Sequence, residues 1–273
     1  MIHSAAGKNQ GWRIKPRTKH LVIFISLGII VGSTAISEAE VNQALEQTVS
    51  TQTRDGVVIY GDRYYGDLDA TAPLILLFHQ GGSNGRAEYA PLANWLNDAG
   101  YRAIAWDQRS GGDLYGETNR AVDGLPDGSN PGYCDAFPDL QAALDFVLSH
   151  GEAEKVVVWG SSYSGALVFR LAAENVGKVS GVLAFSPASG GPMVSCRARQ
   201  WADNVQVPAT VFKPASEMTR ETAEEQRQIL ERAGVTFTVV EEGIHGSSLL
   251  IDSRTESGMS ATRAEVIAWL NDL

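Results

Sequence analysis

Positive charge is scarce in this 273-residue chain: Lys and Arg number 22 against 32 Asp and Glu, a net charge of −10 at pH 7. Five of the basic residues (Lys8, Arg13, Lys15, Arg17 and Lys19) crowd into the first 39 positions, beside a single acidic residue, Glu38. The rest of the chain carries 17 basic against 31 acidic side chains, a net of −14. Such a surface repels phosphate backbones and excludes nucleic acid as a partner. Cysteine is scarcer still, with only Cys134 and Cys196, and neither stands in a metal-ligand spacing. No G-x-G-x-x-G or P-loop motif occurs, so no nucleotide cofactor is implied, and neither metal nor any other cofactor is expected. There is no internal repeat. The one long apolar run, residues 21–31, is too short to span a bilayer comfortably.

What is present is ordinary for a folded protein. The chain is 44% hydrophobic and 20% charged, which excludes a disordered or fibrous polymer. At the N-terminus, the basic stretch Arg13 to Lys19 precedes the apolar run, and the small residues Gly32, Ser33, Thr34, Ala35, Ser37 and Ala39 follow it. That order predicts a secretory signal over residues 1–39, cleaved after Ser37 or Ala39, with an uncleaved membrane anchor as the alternative. The mature protein is then expected in the periplasm or outside the cell, touching membrane only through an uncleaved segment. Residues 40–55 are polar and read as a linker or a first short strand. What remains has the length of one domain with a large buried core.

Strands and helices alternate through that body. Val57–Tyr60 reads as a strand and residues 61–66 as a turn and partner strand. Pro73–Phe78 is a continuous apolar run, expected of a strand covered on both faces. Tyr89, Leu92, Trp95 and Leu96 mark a helix stopped at Gly100, and residues 101–106 the next strand. A Gly-, Pro-, Asn- and Asp-rich segment, about 112–135, follows and is long enough to be functional or lid-like. Leu140, Ala143, Leu144 and Val147 mark another helix, and residues 156–161 a strand of β-branched and aromatic residues. Further strands are read at 181–185, 208–212 and 235–240, and further helices at about 198–204, 219–233 and from a capping box at Thr262–Glu265. The pattern predicts the α/β class: a mostly parallel sheet with helices on both faces and a functional edge at the C-terminal strand ends.

At that edge stands Val156-Val157-Val158-Trp159-Gly160-Ser161-Ser162-Tyr163-Ser164-Gly165, a buried strand running through a tight turn into a helix. This is the layout of a nucleophile elbow. Ser162 is the candidate nucleophile, because only it has Gly two residues before it; two residues after it, Ser164 stands where the usual pattern has Gly. A serine hydroxyl needs a base, and the base an orienting acid. Of the five histidines, His3 and His20 fall in the N-terminal segment, and His150 ends a helix beside its carbonyls. His79 reads as a loop-fixing residue, which leaves His245 as the base, since triads of this fold class run Ser, acid, His along the chain. Glu217, just beyond the strand at 208–212, is the candidate acid. Backbone N–H groups of Tyr163 and of Gly81 or Gln80 are the candidate oxyanion donors.

These residues carry a resemblance. Phe78-His79-Gln80-Gly81-Gly82, Asp107-Gln108-Arg109-Ser110-Gly111-Gly112, Gly160–Gly165 and Gly243-Ile244-His245-Gly246 resemble the α/β-hydrolase superfamily, in its small single-domain branch related to dienelactone hydrolases and prolyl-oligopeptidase-type esterases. The resemblance covers about residues 56–273 and implies an α/β-hydrolase fold and a Ser–acid–His triad, matched by position at Ser162, Glu217 and His245. Ser164 for the elbow Gly, Gln80 for the Gly usual after the loop His, and Glu for the commoner Asp depart from the family pattern. The expected activity is hydrolysis of a small-molecule carboxylic ester through an acyl-enzyme. A peptidase or acyltransferase of the same fold, and a non-catalytic binding protein, are the alternatives. In an exported protein, Cys134 and Cys196 are expected to form one disulfide, clamping the lid-like segment to the rim of the site.

Overall fold

The structure, a computed structural model, describes residues 47–255 and 257–273. The expected signal or anchor at 1–39 lies outside the described residues, as do residues 40–46. Among the described residues no helix is long and apolar enough to cross a membrane.

Eight strands form one sheet: β1 (Gln47–Gln52), β2 (Val58–Tyr64), β3 (Leu74–Phe78), β4 (Arg102–Asp107), β5 (Val156–Ser161), β6 (Gly181–Phe185), β7 (Ala209–Pro214) and β8 (Thr236–Val240). Their order is β1-β2-β4-β3-β5-β6-β7-β8. The β1–β2 and β2–β4 pairs are antiparallel and all other pairs parallel. Residues 47–52 thus belong to the sheet, within the segment read as a linker or first strand. Residues 58–64 form one continuous strand, where the sequence suggested two strands about a turn at Gly61. Gly61 instead lets β2 lie close to β4: a Cβ there would meet Ile104 at 2.8 Å and Trp106 at 3.0 Å.

The central strands bury both faces, and their side chains alternate between two cores. Leu74, Leu76, Phe78, Val156 and Val158 pack on one side with the helices α3 (Phe137–Ser149), α4 (Tyr163–Glu174) and α5 (Glu221–Arg232). Ile75, Leu77, Val157 and Trp159 pack on the other with α1 (Gly85–Asp98) and α6 (Ser260–Asn271). The period of two in the strands and the helices on both faces are one fact seen twice. The capping box expected at Thr262–Glu265 is not formed. The helix already begins at Ser260, so Thr262 lies inside it, and the Glu265 carboxylate accepts from the Thr238 hydroxyl at 2.8 Å.

The segment 112–135 holds a four-residue helix, α2 (Arg120–Asp123), and a 3₁₀ turn at Tyr133–Ala136. Buried charges pin its base. Arg120 bridges Asp107 and Asp62, each at 2.6 Å, and Asp107 also accepts from the Gly85 N–H that opens α1, at 2.8 Å. Arg109 pairs with fully buried Asp139 at 2.7 Å. The far end is tied covalently: Cys134 is bonded to Cys196, with Cα atoms 5.7 Å apart and a sequence separation of 62.

That bond closes a long loop in the unfolded chain. Reduction, or Cys196→Ser, is therefore expected to lower stability by about 2–4 kcal/mol, read as the difference between urea denaturation curves with and without reductant.

Candidate active site

The sheet reverses its direction of growth at β3: β4 lies on one side of it and β5 on the other. The loop after β3 and the turn after β5 therefore part around a crevice at the strand ends, where open α/β sheets place their sites. Ser162 sits in that turn with φ 58° and ψ −116°, a left-handed backbone that a residue with a Cβ adopts only under constraint. The constraint is visible. The Ser162 N–H donates to the Phe185 carbonyl at 2.8 Å, its carbonyl accepts from Ala166 and Ala188, and α4 starts at the next residue.

Gly160 makes the turn possible. A Cβ on it would lie 2.3 Å from the Ser164 carbonyl oxygen, so strand and helix touch through their backbones. The position two before the serine is closed to any side chain. Two after it, the helix offers its own backbone to Gly160, and the Ser164 side chain turns elsewhere. Its hydroxyl donates to the His79 carbonyl and accepts from Gln108 Nε2, both at 2.6 Å. Serine in place of the usual glycine thus laces the elbow to the loops after β3 and β4.

His79 is one of the fixed points. It is fully buried, and burial lowers its pKa and keeps it neutral. The Gln108 N–H donates to Nε2 at 3.0 Å, so the ring proton sits on Nδ1, which donates to the Gln80 carbonyl at 2.8 Å. Both nitrogens are spent, and His79 has the loop-fixing part expected of it. His150, as expected, lies against its own helix end, Nδ1 to the Phe146 carbonyl at 2.8 Å.

His245 and Glu217 meet. His245 Nδ1 lies 2.6 Å from Glu217 Oε1, which also accepts from the Ser186 hydroxyl at 3.2 Å, while Oε2 pairs with Lys213 Nζ at 3.0 Å. Glu217 occupies a 3₁₀ turn, Ala215–Glu217, directly after β7. Burial alone would raise its pKa, but the hydrogen bond with His245 and the charge of Lys213 outweigh it and hold the carboxyl down to about 2. Ser186 was not singled out as a partner in the sequence. It has φ 47°, and its hydroxyl takes the Gly246 N–H at 3.1 Å, so it braces the acid and the residue after the histidine together. A left-handed serine after a strand leaves no sequence signal of its own. The His245 side chain is half exposed, and among the described residues no hydrogen bond joins it to Ser162. In resting sites this link tightens when substrate arrives.

Of the oxyanion candidates, the Tyr163 N–H opens α4 and so has no acceptor within the helix. Gly81 follows β3 across the crevice. The Gln80 N–H is not available. It donates to Glu88 Oε2 at 2.7 Å, which removes Gln80 from the candidates and leaves Gly81 as the remaining candidate on that side. Tyr133, beside the disulfide, stacks on the Tyr163 ring at 4.8 Å, and its hydroxyl lies against Gly81, where a Cβ would come within 2.6 Å. An open cleft of about 430 Å³ is lined by Tyr133, Ser186, Met193, Arg220, Glu217 and His245 among others. No cluster of His, Cys, Asp or Glu able to hold a metal occurs among the described residues.

Glu88, fully buried on α1 behind this loop, has a second oxygen without a hydrogen-bond partner, and burial pushes its carboxyl up to about 7. A carboxyl raised on folding favours the folded state below its unfolded pKa and loses that advantage as pH rises through the folded value. Stability should therefore fall between about pH 4.5 and pH 7, and Glu88→Gln should flatten that decline, measured by urea denaturation at pH 5 and pH 8. Ser164→Ala leaves Gln108 Nε2 and the His79 carbonyl without their partner and should cost about 1–3 kcal/mol in the same assay.

Among solved structures, an esterase from Pyrococcus furiosus is similar over 86% of this chain and 93% of its own, with 14% identity and a TM-score of 0.64. A Klebsiella pneumoniae protein with the provisional name dienelactone hydrolase is similar over 84% of this chain and all of its own, with 16% identity and a TM-score of 0.61. A bacterial brefeldin A esterase is similar over 88% of this chain and 80% of its own, with 16% identity and a TM-score of 0.64. At these identities the likeness is one of fold. The family described as serine aminopeptidase, S33, matches residues 70–245, from just before β3 to His245 and more than half of the chain, and this protein belongs to that family of α/β-hydrolases, a serine hydrolase by membership.

Proposed function

We propose that this chain is an exported hydrolase of small carboxylic esters, with Ser162 as nucleophile, His245 as base and Glu217 as the acid that orients it. The observation that carries the reading is the 2.6 Å pair of His245 and Glu217, taken with a serine held at φ 58° in the turn after β5. Ser162 Oγ attacks the ester carbonyl carbon and gives its proton to His245 Nε2. The oxyanion lies between the N–H groups of Tyr163 and Gly81. Collapse expels the alcohol, which takes the proton from His245, and leaves an acyl-enzyme. Water, deprotonated by His245, then releases the carboxylic acid and restores Ser162. Export is supported by the basic, apolar and small-residue order of residues 1–39 and by the disulfide, which persists in oxidising compartments.

The family description favours a second reading, an aminopeptidase. The cleft supports the ester reading instead. An aminopeptidase holds a free ammonium group, which needs a carboxylate facing the substrate. Among the described residues the one carboxylate lining this cleft is Glu217, and both its oxygens are engaged; the other charged groups, Lys213 and Arg220, are basic.

A fluorophosphonate probe should label Ser162, located by peptide mass mapping, and Ser162→Ala should lower p-nitrophenyl acetate hydrolysis by about 10⁴-fold or more. An adduct elsewhere, or an alanine variant of undiminished activity, overturns the reading. Faster cleavage of an amino-acid p-nitroanilide than of the ester would establish the aminopeptidase.

A further inference from the structure

Lys213 is one of the few lysines a folded chain buries. It lies near the end of β7 with 6% of its side chain exposed, and among the described residues its one polar contact is Glu217 Oε2 at 3.0 Å. A buried ammonium carries a desolvation cost, and an apolar side chain at this strand position would avoid it. Its contribution is to be found in what it does to Glu217. The carboxylate is divided between two sides, Oε1 toward His245 and Ser186 and Oε2 toward Lys213.

We propose that Lys213 is a positioning residue that draws part of the Glu217 charge away from His245 and so extends the activity of this site to lower pH, an inference that rests on the Ser162–His245–Glu217 reading above. In a triad the acid stabilises the imidazolium formed when the base takes a proton. The same stabilisation makes the imidazole hold a proton from solvent, and a protonated imidazole cannot act as base. A fixed positive charge on the far oxygen opposes the imidazolium, so the base stays free of its proton at lower pH. The ion pair also fixes the carboxylate plane, keeping Oε1 turned to Nδ1. Among the described residues the other ionisable groups about His245 are Arg220, which lines the same cleft at the start of α5, and buried Glu88 on α1, whose carboxyl burial pushes up to about 7. Tyr133, which lines the same cleft, adds a phenol. All three stay in place when Lys213 alone is changed, so differences between Lys213 variants report on Lys213.

The test is the pH dependence of kcat/KM for p-nitrophenyl acetate, from pH 4.5 to 9, in the full-length chain and in Lys213→Met, Lys213→Gln and Lys213→Arg. The expected result is an acid limb moved upward by about half a unit to one unit in Lys213→Met, with activity at pH 5.5 reduced several-fold relative to pH 8. Lys213→Gln, which keeps a donor to Oε2 without the charge, should show the same shift and stands in if the Met variant fails to fold. Lys213→Arg should leave the limb in place. A uniform loss of activity at every pH, with the limb unmoved in the neutral variants, overturns the proposal and makes Lys213 a structural brace only. Fluorophosphonate labelling of the same preparations separates the two levels. If Ser162 is labelled and the limbs coincide, only the Lys213 inference falls. If Ser162 is not labelled in the wild-type protein, the triad reading falls and the inference falls with it.

Discussion

The backbone approach of Gly160 to Ser164 is the contact on which the rest depends. It lets β5 turn into α4 within one residue, and that turn holds Ser162 in a left-handed conformation at the end of a fully buried strand. The strain is local and is held by buried partners: the Phe185 carbonyl on the Ser162 N–H, and two core layers that fix β5 and α4 in place. A serine in a mobile loop would present its hydroxyl in many directions. Here the backbone that carries it is fixed by the buried strand before it and the helix after it.

Around that turn the polar groups form a connected set instead of a scatter. Ser164 ties the elbow to His79 and Gln108, His79 ties the loop after β3 to the loop after β4, and Asp107 ties β4 to α1 and α2. Ser247 on the far side of the sheet accepts from the Trp159 indole at 2.8 Å, joining β5 to the turn after His245. Buried polar groups are costly unless paired, and here the pairing is what sets the loops relative to each other. The disulfide adds one covalent tie at the rim and places Tyr133 over Gly81 and Tyr163. Core, loops and rim thus converge on one crevice from different chain segments.

Much of this was legible in the sequence, for stated reasons. The run Val156–Trp159 could only be a strand buried on both faces, and Gly160 before Ser162 marked the close approach. His245 emerged because the other histidines had duties elsewhere, and the structure gives His79 and His150 those duties. Other features were not legible. A strand through Gly61 looked like a turn, because the reason for that glycine is β4, more than 40 residues away. Thr262–Glu265 had the spacing of a capping box, but spacing does not say where a helix begins. The Gln80 N–H seemed as free as that of Gly81 until the Glu88 carboxylate proved to reach it.

By itself the sequence determined the alternation of elements, the two-faced burial of the sheet and the residues able to serve as nucleophile, base and acid, because periodicity and local steric demand are properties of neighbouring positions. The tertiary structure alone decided how closely Glu217 meets His245, that Ser186 and Lys213 occupy the carboxylate's other contacts, that Ser164 is an anchor, and that a buried glutamate closes one of two candidate donors. Those are encounters between strand ends brought side by side by the sheet order. Hydrogen bonds and charges act over a few ångströms in space, and no spacing along the chain encodes them.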